Sequence, residues 1–268
     1  MIPIYYVDAF TDRLFTGNPA AVCILAEWLP DAVLQAIAAE NNLSETAFVV
    51  PQEERWELRW FTPTTEVDLC GHATLATAHV LFHHYCCQGE RLIFHTKSGD
   101  LTVLQAGDFL TLDFPALPPR PCSYPSLLVA ALGEPPLEVL CSHDYLVVYD
   151  QEETIVNLRP DLALLPQLDL RGVIITARGK EVDFVSRFFA PKLGIPEDPV
   201  TGSAHCTLIP YWGGKLGKGR LKARQLSRRG GYLEGELQGE RVLLAGQAVT
   251  YMQGTIDCPL SANLPPTP

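Results

Sequence analysis

The chain carries one pattern twice, and a repeat of this length restricts it to folds built from two similar halves. Arg59-Trp60-Phe61-Thr62-Pro63 is followed by Cys70-Gly71-His72-Ala73. Arg187-Phe188-Phe189-Ala190-Pro191 is followed by Thr201-Gly202-Ser203-Ala204. The arginines are 128 positions apart and the turn glycines 131. Leu43 against Leu170 gives 127, and Gly99 against Gly231 gives 132. Half of the 268-residue chain is 134. A near-constant offset of about half the length implies two similar halves facing each other across a cleft. Two copies are too few for a solenoid.

Composition lets each half bury its own core, with 47% hydrophobic and 19% charged residues. A net charge of −11 favours solubility and argues against nucleic acid as a partner. The exception is the stretch 215–229, with seven Lys or Arg and no acid. It has no interleaved aromatic residue on which bases could stack, so it reads as a solvated face. The eight cysteines are irregularly spaced and include no CxxC, which fits free thiols in a reducing cytoplasm. Residues 1–10 read as a strand rather than a leader, and no apolar run reaches membrane-span length.

Short apolar or alternating runs predict strands. In the first half they lie at 4–10, 20–25, 46–50, 56–61, 91–95, 101–104 and 109–114. In the second they lie at 137–141, 145–149, 154–157, 172–176, 183–189, 221–226, 231–237 and 241–249. Each half also has a main helix after its Gly-X-Ala turn. Residues 72–84 lack Gly and Pro and are apolar nearly all round, so the helix is expected to be buried. Residues 203–212 are its counterpart, limited or kinked by Pro210. An outer helix starts after Pro30-Asp31 and ends near Asn41-Asn42. The Pro-rich stretch 115–121 reads as the interdomain linker. These elements predict an α+β chain: an N-terminal half at 1–116, a C-terminal half at 117–258 and an irregular tail at 259–268.

The two Gly-X-Ala turns are the first candidates for chemistry. The leading amides of a helix are unpaired and sit at the positive end of its dipole. Gly71 and Gly202 let a ligand approach them closely. Each turn is either an ordinary tight turn or a site for a carboxylate or phosphate, and the matched pair strengthens the second reading. Glu45 breaks the symmetry, since it falls opposite Gly172. At the mouth of an apolar strand it is either a solvated strand-start residue or a carboxyl poised to exchange protons near neutral pH. Asp198 is held extended by Pro199 at the second helix entrance, or is simply a helix-start residue. His72 is a proton relay or a cap, and Ser203 a substrate-binding hydroxyl or a helix-start residue. His79 and His83 stand at i, i+4 without an acidic third ligand, so no metal is expected. His205-Cys206 is no nucleophile pair, because adjacent helix residues point apart. Walker, GxSxG and GxGxxG motifs are absent.

Six ordered segments, Asp8–Thr11, Gly17–Val22, Leu43–Phe48, Arg59–Pro63, Asp68–Thr74 and Glu197–Ala204, resemble the PhzF-like (phenazine biosynthesis) isomerase family. The resemblance runs over residues 4 to about 256. It implies the diaminopimelate epimerase fold, in which two pseudo-symmetric halves each curl a mixed, barrel-like sheet round a central helix with the active site between them. It also implies Glu45 as general acid/base, with His72, Asp198 and Ser203 in the catalytic site. Asn18, Cys70, Gly71, Thr201 and Gly202 would bind substrate. The epimerase branch opposes two cysteines. Here Cys70 holds the first thiol position and Thr201 the second, so two-base racemisation is in doubt. Members are cofactor-free, and a homodimer is expected.

One carboxylate serving one side suits removal and return of a proton on the same face. The expectation is therefore a cofactor-independent isomerase of a small carboxylated, amino- or hydroxy-acid-like substrate. Asp198 and His72 would tune Glu45 and hold the substrate's amino or hydroxyl group. The alternatives are an epimerase or racemase using Cys70 with Glu45, and a catalytically silent binding or scaffold protein.

Overall fold

A computed structural model describes residues 1–53 and 55–257. Two compact units emerge. The first comprises Met1–Phe15, Pro19–Leu112 and the chain from Gly246; the second comprises Thr16–Asn18 and Asp113–Ala245.

The first unit contains β1 (Ile2–Ala9), β2 (Asn18–Ile24), α1 (Asp31–Asn41), β3 (Glu45–Pro51), β4 (Trp56–Phe61), β5 (Glu66–Val67), α2 (Gly71–His83), β6 (Arg91–Thr96), β7 (Gly99–Ala106) and β8 (Phe109–Pro115). Its sheet is mixed. β2 and β3 are parallel, β3 and β4 antiparallel, β4 and β6 parallel, and β6 to β8 follow as an antiparallel meander. The strands need two apolar faces, because both are covered. On one side Ala21, Cys23, Phe48, Val50 and Phe61 pack with Val33, Leu34, Ile37 and Ala38 of α1. On the other side the sheet curls about α2, whose residues 72–82 are all buried, as its all-round apolar character requires.

The second unit contains β9 (Arg120–Pro121), α3 (Ser126–Leu132), β10 (Glu138–Cys141), β11 (Tyr145–Val148), α4 (Glu152–Asn157), β12 (Val173–Arg178), β13 (Phe184–Ala190), β14 (Ile195–Asp198), α5 (Gly202–Leu216), β15 (Arg220–Gln225), β16 (Gly231–Gln238) and β17 (Arg241–Gly246). The pairing pattern repeats. β11 and β12 are parallel, β12 and β13 antiparallel, β13 and β15 parallel, and β15 to β17 form a meander. The last strand, β18 (Ala248–Ile256), pairs antiparallel with β1 in the first unit. The expected α+β class and internal symmetry are therefore present in the fold. Among the described residues no helix is long and apolar enough to cross a membrane.

Several expectations are corrected. Residues 154–157 are helical, within α4, not a strand. Their β-branched run is overridden by Glu152 and Glu153 in the first helical turn and by burial of Ile155. α4 occupies the place that α1 has in the first unit. Residues 241–249 form parts of two strands, β17 and β18, which belong to different units. The units are consequently not contiguous halves, because β18 is hydrogen-bonded to β1. The main segment of the second unit starts at Asp113, ahead of the expected 117, and Thr16–Asn18 joins it. The stretch 115–121 is no free linker: Ala116 N–H donates to Glu240, Leu117 N–H to the Cys206 carbonyl, and β9 pairs with β10. That second bond explains α5. Pro210 has no N–H for the Cys206 carbonyl; Leu117 supplies one at 2.9 Å, and the helix continues to Leu216. The predicted tail at 259–268 lies outside the described residues.

The basic stretch 215–229 is laced to acids of its own unit. Lys215 pairs with Glu138, Lys218 with Asp183, Arg220 with Glu234 and Arg224 with Glu181.

Candidate functional site

In the first unit, three predicted residues converge. Glu45 opens β3 in register with Ala20 of β2. Cys70 is the N-cap of α2, and His72 is the second helical residue. His72 Nε2 lies 3.3 Å from Glu45 Oε2, and His72 Nδ1 lies 3.4 Å from Cys70 Sγ. All three are buried: Glu45 is 9% exposed, Cys70 6% and His72 5%. Burial holds the His72 imidazole well below its usual range, so it is neutral at physiological pH. A neutral ring has one donor and one acceptor nitrogen. At 3.3 Å His72 Nε2 and Glu45 Oε2 are neighbours without a formed hydrogen bond, while Nδ1 is in contact with the Cys70 thiol. No side chain caps α2, so the first amides, from Gly71 on, keep their donor capacity. Among the described residues this is the only trio of His, Cys, Asp or Glu whose candidate ligand atoms all lie within 4.8 Å. Its S, N and O donors would suit a zinc-like cation, and they equally suit a short proton relay.

His79 and His83 stack at 4.4 Å and do not form such a trio. His79 Nε2 is instead 3.0 Å from Thr250 Oγ1.

In the second unit, Asp198 ends β14 and Thr201 is the N-cap of α5. The Asp198 carboxylate accepts from Thr201 Oγ1 at 2.5 Å and from Asn18 Nδ2 at 2.8 Å. Asn18 Nδ2 also donates to the Val200 carbonyl. Asn18 is fully buried, and its Nδ2 bridges Asp198 and the Val200 carbonyl. Gln225 completes the cradle: Nε2 donates to the Asp198 carbonyl and to Thr201 Oγ1, and Oε1 accepts from the Thr201 amide. Gly202 and Ser203 open α5. Ser203 Oγ accepts from Arg171 Nη2 at 3.2 Å, and Arg171 is clamped by Asp144.

Burial pushes the Asp198 carboxyl up from 3.8 to about 6, against the bonds from Thr201 and Asn18 and the Arg171 charge. Between those values the folded protein holds a proton that the unfolded chain has released. This group's stabilisation is therefore complete below 3.8 and is lost as pH rises through about 6. The shift corresponds to about 3 kcal/mol. Asp198→Asn should gain on wild type as pH rises through that window, by up to about 3 kcal/mol in urea unfolding. A pH-independent difference would show that this carboxyl does not titrate there.

Sequence reasoning missed Arg171, Asp144 and Gln225. Gln225 was hidden in the basic stretch, and Asp144 and Arg171 are 27 positions apart with no motif between them. The repeat offset carried the one available signal, since it sets Arg171 opposite Ser44, next to Glu45.

A family model described as phenazine biosynthesis-like protein matches residues 7–254. A relative in Pseudomonas aeruginosa, named an uncharacterized isomerase, is 56% identical over 255 residues, covering 95% of this chain and 98% of the relative. A crystal structure of a PhzF family protein from Enterococcus faecalis superposes with a TM-score of 0.93 at 50% identity, covering 94% of this chain and 98% of the other. A probable proline racemase from Agrobacterium radiobacter shares the fold alone, with a TM-score of 0.62 at 10% identity, over 98% of this chain and 95% of its own. The fold is thus the epimerase-like one that the family resemblance implied. The chain is an isomerase and belongs to the phenazine biosynthesis-like protein family.

Proposed function

We propose that the protein moves a proton between carbons of a small carboxylated substrate, without a cofactor, using Glu45 as general acid/base. The observation that carries this reading is the Glu45 carboxylate set 3.3 Å from His72 at the opening of α2. Glu45 takes a proton from carbon, and the substrate's conjugated system takes up the electron pair. The same carboxyl returns the proton to another carbon on the same face. Neutral His72 is placed to donate Nε2–H to Glu45 when the site engages substrate, without adding charge, and its Nδ1 faces Cys70. The Gly71 and His72 amides are suited to a substrate carboxylate. Asp198 and Ser203 are assigned to the substrate's amino or hydroxyl group, with Thr201 and Gly202 beside them.

Proton NMR in D₂O tests this, with a panel of small amino and hydroxy acids that includes dihydro-hydroxyanthranilate. Wild type should load deuterium at a carbon position or form product. Exchange that survives in Glu45→Gln would move the base to Cys70 or His72.

One observation favours a second reading, an epimerase that uses Cys70 with Glu45: the thiol stands 3.4 Å from an imidazole nitrogen. Under the isomerase reading Cys70→Ser should keep exchange within about tenfold of wild type, well short of the 10²–10⁴ of a general acid/base. A loss of that larger size, with alkylation of Cys70 prevented by substrate, would establish the epimerase instead.

A further inference from the structure

The internal symmetry shows a second asymmetric position. Ser203 corresponds to His72 by the 131-residue offset of the turns, and Arg171 corresponds to Ser44, the neighbour of Glu45. In the first unit Glu45 reaches His72 at 3.3 Å. In the second, Arg171 reaches Ser203 at 3.2 Å. One unit therefore presents a carboxylate at this place, and the other presents a guanidinium.

Packing locks the difference in. The counterpart of Glu45 is Gly172, where a Cβ would lie 2.7 Å from Phe188 ring carbons and 2.9 Å from the Phe189 carbonyl oxygen. No acid fits there. Phe188 also lies beneath the Arg171 guanidinium, 5.8 Å from ring centre to Cζ.

Arg171 differs from the structural arginines of the same fold. Arg187, only 9% exposed, uses all three nitrogens, on Glu197 and on the Ile155 and Leu158 carbonyls. Arg59 also uses all three, on Glu66 and Asp31. Arg171 spends Nε and Nη2 on Asp144, whose side chain is 2% exposed. Its own side chain is 37% exposed, and among the described residues Nη1 donates to nothing. Asp144 and the Ser203 hydroxyl take Nε and both N–H groups of Nη2, which leaves the two N–H groups of Nη1 to donate. These charged N–H donors suit a carboxylate or enolate oxygen.

We propose that Arg171, set by Asp144 and Ser203, is a substrate-holding residue of the second unit that takes an oxyanion of the substrate through Nη1. The inference rests on the reading above for the substrate's being carboxylated. The Arg171–Asp144 pair is neutral as a whole, so directed N–H donors, rather than net charge, would give the selectivity.

The test is thermal unfolding and NMR titration with formate, benzoate and anthranilate as probes and benzamide as the uncharged control. The carboxylates should raise the wild-type midpoint, and benzamide should not. Arg171→Met strands a buried Asp144, so the main variant is the double change Arg171→Gln with Asp144→Asn, which keeps a neutral hydrogen-bonded pair. It should weaken carboxylate binding about ten- to a hundredfold, the size of a charged hydrogen bond. Arg171→Lys should restore part of that, and KM should move more than kcat. No carboxylate effect on wild type, or wild-type affinity in the double variant, overturns the inference. If binding depends on Arg171 while exchange survives Glu45→Gln, this inference stands and the assignment of the base falls.

Discussion

Glu45→Gln should lower carbon–proton exchange by about two to four decades, the range expected when a positioned acid/base is removed. The substitution is close to isosteric, and it keeps an oxygen that can accept from His72 Nε2–H. The register of Glu45 with Ala20 is a backbone property, so β3 keeps its place. A loss of rate without a loss of unfolding midpoint would thus belong to chemistry. The measurement is deuterium incorporation per turnover in wild type and variant under identical substrate saturation. A variant retaining more than about a tenth of the wild-type rate would remove Glu45 from the proton path. His72 is a poor substitute, because burial makes its imidazole a weak base and its Nδ1 is in contact with Cys70.

Arg187→Ala should cost about 3–5 kcal/mol of stability, the range for breaking a buried ion pair from one side. The side chain holds Glu197 with two bonds, ends α4 by bonding the Ile155 and Leu158 carbonyls, and lies over Phe189 at 4.9 Å. Its symmetry mate Arg59 provides the control. Arg59 is 20% exposed, and its partner Glu66 keeps Lys97 at 2.5 Å when the arginine is gone. Arg59→Ala should therefore cost only about 1–2 kcal/mol, closer to a partly screened pair. Urea unfolding of the two variants side by side checks the order. Equal losses would show that the carbonyl bonds from Arg187 to α4 contribute little.

Much of the fold could be read from the repeat, because an offset is insensitive to errors in any single element. The twin arginines on β4 and β13, the twin turns and the twin buried helices all fell where the offsets placed them. What failed was local. Residues 154–157 are β-branched and read as a strand, yet they form the last turn of α4, since the symmetry mate of α1 is needed to cover the sheet and Ile155 is fully buried. Pro210 read as a helix limit, because nothing in the sequence shows that Leu117 will satisfy the Cys206 carbonyl.

The sequence by itself determined the duplicated α+β architecture, the family, and the candidates Glu45, Cys70, His72, Asp198 and Ser203. Periodicity, breaks in symmetry and motif spacing are properties of the chain alone. Only the tertiary structure decided which of these residues touch. Glu45 and His72 are 27 positions apart and meet at 3.3 Å, and Asn18 reaches Asp198 across 180 positions. It also decided protonation, since burial sets the His72 imidazole low and the Asp198 carboxyl high. It alone brought Asp144 to Arg171. Contacts between distant side chains, and the low-dielectric surroundings they create, depend on how β-sheets close around α2 and α5, and no window of sequence contains that information.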